Sequence, residues 1–209
     1  MAKKIITVSR QFGSGGRSIA KLVAQKLGYD YYDKEIIKKV AEETNLDPAY
    51  IEENGEYAPG RTAFSFSPVF TGSAHYMGGM SAYDMLWVVQ RSAILEIAEQ
   101  GPCVIVGRCA DFILKDRDDV LNAFIYAPMD FRAERVVRLY GESDKKPEER
   151  LKHKDSRRAV SYRHFTGREW GDPLNYDISL NSASIGIEEC ANIIVRLAKG
   201  TAEEEDSNE

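Results

Sequence analysis

A chain of 209 residues, 43% hydrophobic and 29% charged, with a mean hydropathy of -0.40, has the make-up of a globular protein with one sizeable core, and two full domains would be a tight fit. No apolar run approaches the roughly 18 residues that span a bilayer, and the opening M-A-K-K-I-I-T-V is too short in apolar residues for a signal peptide, so no membrane partner and a cytoplasmic location are expected. The net charge of -5 is unevenly placed: 201–209 (T-A-E-E-E-D-S-N-E) holds five acidic residues and no basic one, which leaves residues 1–200 neutral and marks the end as a solvated, disordered tail.

In chain order, the β-branched run Ile5 to Val8 predicts a buried strand, and the turn S-R-Q-F-G-S-G-G-R-S follows it at residues 9–18. Ile19, Leu22, Val23 and Leu27 then recur at helical spacing, with Gly28 as the stop. Tyr29 to Asp33 reads as a short extended piece and Lys34 to about Glu43 as a helix, after which Asp47-Pro48 looks like an N-cap and first helical position. Residues 54–80 are rich in Gly, Ser, Pro and aromatics and lack a period, the pattern of a long functional or mobile loop. Within them His75 reads as an ordinary loop residue, and Phe64, Phe66, Phe70 and Tyr76 suit packing onto the body better than stacking on a ligand base.

Ser81 caps a long predicted helix carrying Met85, Leu86, Val89, Ile94 and Ile97 and ending near Gly101-Pro102. Cys103 to Val106 and Ala123 to Tyr126 read as further buried strands, with a helix over about Asp130 to Tyr140. The three cysteines, Cys103, Cys109 and Cys190, include no C-x-x-C pair and suggest reduced thiols rather than a disulfide or zinc site. From Arg150 to Glu169 the chain carries Arg150, Lys152, Lys154, Arg157, Arg158, Arg163 and Arg168 against Asp155 and Glu169, an excess of +5, with His153 and His164 alongside. A solvated helical face or an anionic partner would each account for it, and the lack of a basic stripe elsewhere argues against nucleic acid. Tyr176 to Leu180 is the last strand candidate, and a final helix ending at Gly200 turns Ile187, Ala191, Ile194, Val195 and Leu197 inward. Short apolar strands alternating with helices predict an α/β fold with a parallel sheet covered on both faces.

The turn at 9–18 nearly spells the phosphate loop G-x-x-x-x-G-K-[ST], with Gln11 at the first glycine and Arg17 at the lysine. Gly13, Ser14, Gly15 and Gly16 would curl the backbone so that N–H groups and a helix N-terminus face an anion, and Ser18 would hold a phosphate-bound Mg²⁺. Arg17 keeps the lysine's charge with a planar fork. In parallel sheets ligands bind at the carboxyl ends of strands, which adds Asp33, Arg108 and Asp111, with Asn181 and Ser182 after the last strand.

These stretches, together with Y-D-Y-Y-D-K-E-I-I, V-I-V-G-R-C-A-D and D-S-R-R-A-V-S-Y ahead of N-Y-D-I-S-L-N-S, resemble the cytidylate kinase-like proteins of the P-loop nucleoside monophosphate kinase group over nearly the whole chain. The resemblance implies one kinase-like domain over 1–200 with a core of about five parallel strands flanked by helices. An acceptor-binding segment would span about 33–100 and a helical lid about 142–169. It implies ATP and Mg²⁺ as co-substrate and metal, and transfer of the γ-phosphoryl to a nucleoside monophosphate, CMP or dCMP first. Gly13 to Ser18 would hold the donor phosphates, Asp33 and Lys39 would meet the acceptor's sugar and phosphate, Arg91 and Arg108 would grip its phosphate and base, and Arg138 would pack on the donor base. Arg157 and Arg158, with Lys154 and Asp155, occupy the lid and would serve catalysis with Arg17.

The sequence departs from the pattern at Gln11, at Arg17 and at Val106, where cytidylate kinases carry an Asp that helps with Mg²⁺. Two other readings stay open on the residues: a kinase of another small metabolite, and a nucleotide-binding regulator without turnover.

Overall fold

Ile5–Arg10 forms β1, longer than its apolar run, because Ser9 and Arg10 continue the ladder opposite Phe124 and Ile125. The computed structural model describes residues 2–33, 35–44, 47–49, 51, 55–56 and 81–200. The expectations for the tail, for His75 and for the aromatics between 57 and 80 lie outside them.

The strands β1, β2 (Asp30–Tyr32), β3 (Cys103–Val106), β4 (Val120–Tyr126) and β5 (Ile178–Asn181) run parallel in the order β2-β3-β1-β4-β5. Parallel neighbours need crossovers, and these helices cover both faces of the sheet. Ile5, Cys103, Ile105 and Val120 point to one face, packed by α2 (Glu35–Thr44), α3 (Ala82–Gln100) and α4 (Ala110–Ile113). Alternate residues Ile6, Val8, Val104, Val106, Leu121, Ala123 and Ile125 point to the other, against α1 (Gly16–Leu27) and α8 (Ile187–Lys199), with the short α7 (Ser182–Ile185) leading in. Each fully buried Ile or Val contributes roughly 1.5–3 kcal/mol of apolar transfer.

Local signals mostly hold. Asp47 accepts the Ala49 N–H at 2.6 Å, and Ser81 Oγ accepts the Asp84 N–H at 3.1 Å to open α3. Two expectations need correction. The last strand starts at Ile178 rather than Tyr176, whose N–H is taken by Pro173 in a 3₁₀ turn. Leu197 is 38% exposed, and Cys190, Ala191, Ile194 and Ala198 form the inner face of α8, because a helical period measured from Ile187 passes 198 rather than 197.

The basic segment lies in one 20-residue helix, α6 (Pro147–Thr166), except for Arg168 and Glu169 beyond its end, and follows α5 (Met129–Tyr140). Leu151 packs with Ala133 and Val136 of α5. Further along, Tyr83 donates to Ser161 at 2.7 Å, Trp87 stacks on Phe165 with ring centroids 4.4 Å apart, and Tyr162 donates to Asp111 at 2.6 Å. The helix therefore lies across the carboxyl edge of the sheet, fixed to α5 near its start and to α3 and α4 near its end.

Burial pushes the Asp111 carboxyl up to about 6, against the opposing effect of the Tyr162 hydrogen bond. A carboxyl raised in the native state is happiest protonated there. The penalty for its charge is absent below pH about 4, grows with pH and is complete above about 6. Asp111→Asn, neutral throughout, should thus be more stable than the parent above pH 6, by about 2–3 kcal/mol, and lose that advantage toward pH 4. Urea unfolding across this range checks it, and equal stability at pH 7 would contradict it.

Candidate active site

The glycine turn leaves β1 and opens α1. Gly15 sits at φ +86°, and a Cβ there would lie 2.3 Å from Ile187 Cδ1, so only glycine fits both the backbone and the neighbour. Ser14 is buried beneath the turn, its hydroxyl bonded to the carbonyls of Gln11 and Ile125 at 2.9 and 3.1 Å, while Ser182 donates to the Ser14 carbonyl at 2.5 Å. Gln11 replaces the first glycine of the pattern without strain, since it is not among the described residues with positive φ. Its side-chain oxygen accepts the Ala127 N–H at 3.2 Å and stitches the turn to the end of β4. No side chain caps α1 at Gly15, so its first N–H groups and dipole remain available to an anion.

A cavity opens between this turn and α5, lined by Phe12, Gly13, Gly15, Gly16, Arg17, Ser18, Arg135 and Tyr140, with Arg10 and Arg158 at its back. Arg135 donates to Ser18 Oγ at 2.9 Å, and Phe12 stacks on Tyr140 with centroids 5.8 Å apart. Arg17 reaches the other way: its Nη2 donates to Asp33 Oδ1 at 3.1 Å, and its Nε lies 2.9 Å from Oδ2. Burial is the largest influence and works against the Arg17 charge, but Asp33 together with Glu56 and Tyr140 outweighs it, so the group is held more firmly ionised than usual.

A second cavity adjoins the first. It is lined by Arg10, Glu56, Gln90, Arg108, Arg158, Trp87, Tyr162 and Phe165 among others. Arg108 and Cys109 follow β3 with φ of 57° and 54°, a non-glycine conformation that costs energy and aims Arg108 at Gln90, whose oxygen accepts Nη1 at 2.7 Å. The Glu56 carboxylate holds Arg10 at two points and lies 3.3 Å from Arg158 Nη2. Burial alone would raise the Glu56 carboxyl, but Arg10 and Arg158 override it and hold it well below the usual carboxylate range.

The residues singled out in the sequence do not all converge. Gly13, Gly15, Gly16, Arg17, Ser18 and Arg158 line the first cavity, and Arg108 and Arg158 line the second. Ser14 lies under the turn, Asp33 touches the site through Arg17, and Asp111 sits behind Tyr162. Asp155 is turned to the protein itself: it accepts the Phe12 N–H at 2.7 Å and Arg132 Nη1 at 2.5 Å. Arg157 is half-buried on α6 and lines neither cavity, nor do the exposed Arg91 and Arg138. Lys39 pairs with Glu96 at 2.6 Å between α2 and α3, away from both. Sequence reading missed Arg10, Glu56, Arg132 and Arg135. Arg10 escaped because the strand was ended at Val8; Arg135 was detectable as the neighbour of Arg138 one turn earlier on the same helix.

Among the described residues no group of His, Cys, Asp and Glu could by itself hold a metal ion, and no helix is long and apolar enough to cross a membrane. Residues 5–184 match the model of the cytidylate kinase-like family. A cytidylate kinase of Pyrococcus horikoshii is 27% identical over 182 residues, covering 87% of this chain and 81% of the relative. Among solved structures, an uncharacterized protein from Eubacterium ventriosum superposes with a TM-score of 0.71 at 24% identity, covering 95% of this chain and 99% of the other. A shikimate kinase from Acinetobacter baumannii gives 0.54 at 15%, covering 93% and 92%. At such identities the structural likeness speaks for the fold.

Gly15→Ala should cost about 1–3 kcal/mol through its φ alone, and more through the clash with Ile187. Ile187→Ala should recover the second part only, so a double-mutant cycle by denaturant unfolding should return a favourable coupling. Strict additivity would mean the contact with Ile187 is not what confines this position.

Proposed function

This chain belongs to the cytidylate kinase-like family, and from that premise we propose that it moves the γ-phosphoryl of ATP onto a nucleoside monophosphate, CMP or dCMP first. The observation that best supports the reading is that Arg10 and Arg158 line both cavities. Phosphoryl transfer needs two anions held in line and the charge on the migrating group offset, with little covalent work from the protein. Guanidiniums shared between adjoining sites suit that task, because they stay charged and bind oxygens in pairs.

In this reading the first cavity takes the donor. The backbone of Gly13 to Ser18 and the α1 N-terminus cradle its phosphates, with Arg135 beside them and Tyr140 and Phe12 offering a flat apolar wall. Ser18 fits a phosphate-bound Mg²⁺, an ion that usually keeps several waters and takes few protein ligands. Val106 is fully buried in the core and offers that ion nothing. The second cavity takes the acceptor, with Arg108 and Arg158 meeting its phosphate and Trp87 and Phe165 near its base. Arg17, on the donor turn, is held in place by its pair with Asp33. Asp155 acts by anchoring the turn to α6 through Phe12 and Arg132. The placement of α6 over the sheet edge helps keep water from the donor.

Incubation with Mg-ATP and a panel of nucleoside monophosphates, with ADP followed, tests the reading. ADP should form with CMP or dCMP above the other acceptors. ATP binding without transfer to any monophosphate would overturn it. Arg17→Ala should weaken binding of a non-hydrolysable ATP analogue by roughly 1.5–3 kcal/mol, measured by calorimetry, and an unchanged affinity would remove Arg17 from the donor site.

A further inference from the structure

We propose that Glu56 is an internal counter-ion for the arginines of the second cavity, occupying the place of the acceptor's phosphate until that phosphate displaces it. The proposal rests on the reading of this cavity as the acceptor site. The side chains of Arg10 and Arg158 are each only 5% exposed, and Arg108 beside them is equally buried. Buried guanidiniums without a counter-charge are costly, which makes an internal anion valuable in the free protein. Glu56 supplies it. Its carboxylate takes both terminal nitrogens of Arg10 and shares an oxygen with Arg158. Asp155 also lies 3.8 Å from Arg158 Nη1, and Arg108 donates to neutral Gln90.

The carboxylate also lies where an acceptor anion has to sit. A Cβ on Gly107, just past the end of β3, would come within 1.9 Å of Glu56 Oε1, so the absence of a side chain there lets the carboxylate rest against the backbone at the sheet edge. It lines the cavity and uses the very nitrogens that a phosphate would need. Two anions cannot share them. A phosphate monoester brings up to two charges and three acceptor oxygens against one charge and two, so it can win the exchange, whereas a neutral hydroxyl compound cannot. The device thus selects for phosphorylated acceptors and keeps the arginines ordered between turnovers.

The test uses the full chain in phosphate-free buffer, with inorganic phosphate and then CMP as probes. Binding is followed by calorimetry or by the fluorescence of Trp87 and Trp170, which both line the cavity. Glu56→Gln should bind phosphate about ten-fold more tightly than the parent. Its melting temperature should be lower without phosphate and rise more steeply as phosphate is added. Glu56→Asp retains the charge on a shorter arm and should bind phosphate several-fold more tightly while staying folded, which keeps the proposal testable if the glutamine variant does not fold. Equal or weaker phosphate binding by either folded variant would overturn it. Failure of the kinase reading is separate: it would appear as no transfer to any monophosphate by the parent, whatever the phosphate affinities.

Discussion

Charge buried at the carboxyl edge of the sheet is the constraint from which most of this structure follows. Arg10, Arg108, Arg132 and Arg158 are all 4–5% exposed, and each needs a counter-charge or a set of acceptors in a region from which water is largely excluded. Their partners come from distant parts of the chain. Arg158 of α6 donates to the Arg10 carbonyl of β1, Arg132 of α5 to the Phe12 carbonyl and to Asp155, Arg108 to Gln90 of α3, and Arg10 to Glu56. Meeting these needs ties the end of β1 and the turn after it to α5 and α6, and the end of β3 to α3.

The position of α6 is one result. Its composition is that of a solvated helix, yet Leu151, Arg158, Ser161 and Tyr162 are buried. The arginine pairs anchor its middle, and the contacts from Tyr83, Trp87 and Asp111 anchor its end. Such a helix can set Arg158 against two neighbouring cavities at once, since its buried residues form one face while Lys152 and Arg163 are exposed. The turn at 11–18 is held to the same frame through Phe12, Ser14 and Gln11, so the glycine turn and α6 share their supports.

Much of this was legible along the chain. Strand and helix identities followed from apolar spacing, and the glycine turn after the first strand was legible as a candidate phosphate loop. Arg108 and Arg158 were legible too, the one at a strand end and the other in a basic run. What could not be read was which member of a run points inward. Arg157 and Arg158 are adjacent in sequence, yet Arg158 is buried and Arg157 half-buried; Arg135 borders the cavity and Arg138, one turn on, is exposed. Helical phase relative to the sheet decides such cases, and composition carries no record of it. Lys39 and Arg91 had the right charge in the right segment, but their helices turn them to Glu96 and to solvent.

The sequence by itself determined the parallel α/β architecture, because a period of two with both faces apolar cannot be satisfied except beneath two layers of helices. It also determined the glycine turn after β1, because Gly13, Gly15 and Gly16 stand between a β-branched run and a helical period. Only the tertiary structure decided which charges meet. Arg17 could have faced a phosphate or a carboxylate, and it faces Asp33. Glu56, unremarkable in a glycine-rich stretch, became the partner of Arg10 and Arg158 across 46 and 102 residues of chain. Ion pairing between groups so far apart depends on distances set by packing, and local pattern holds no information about them.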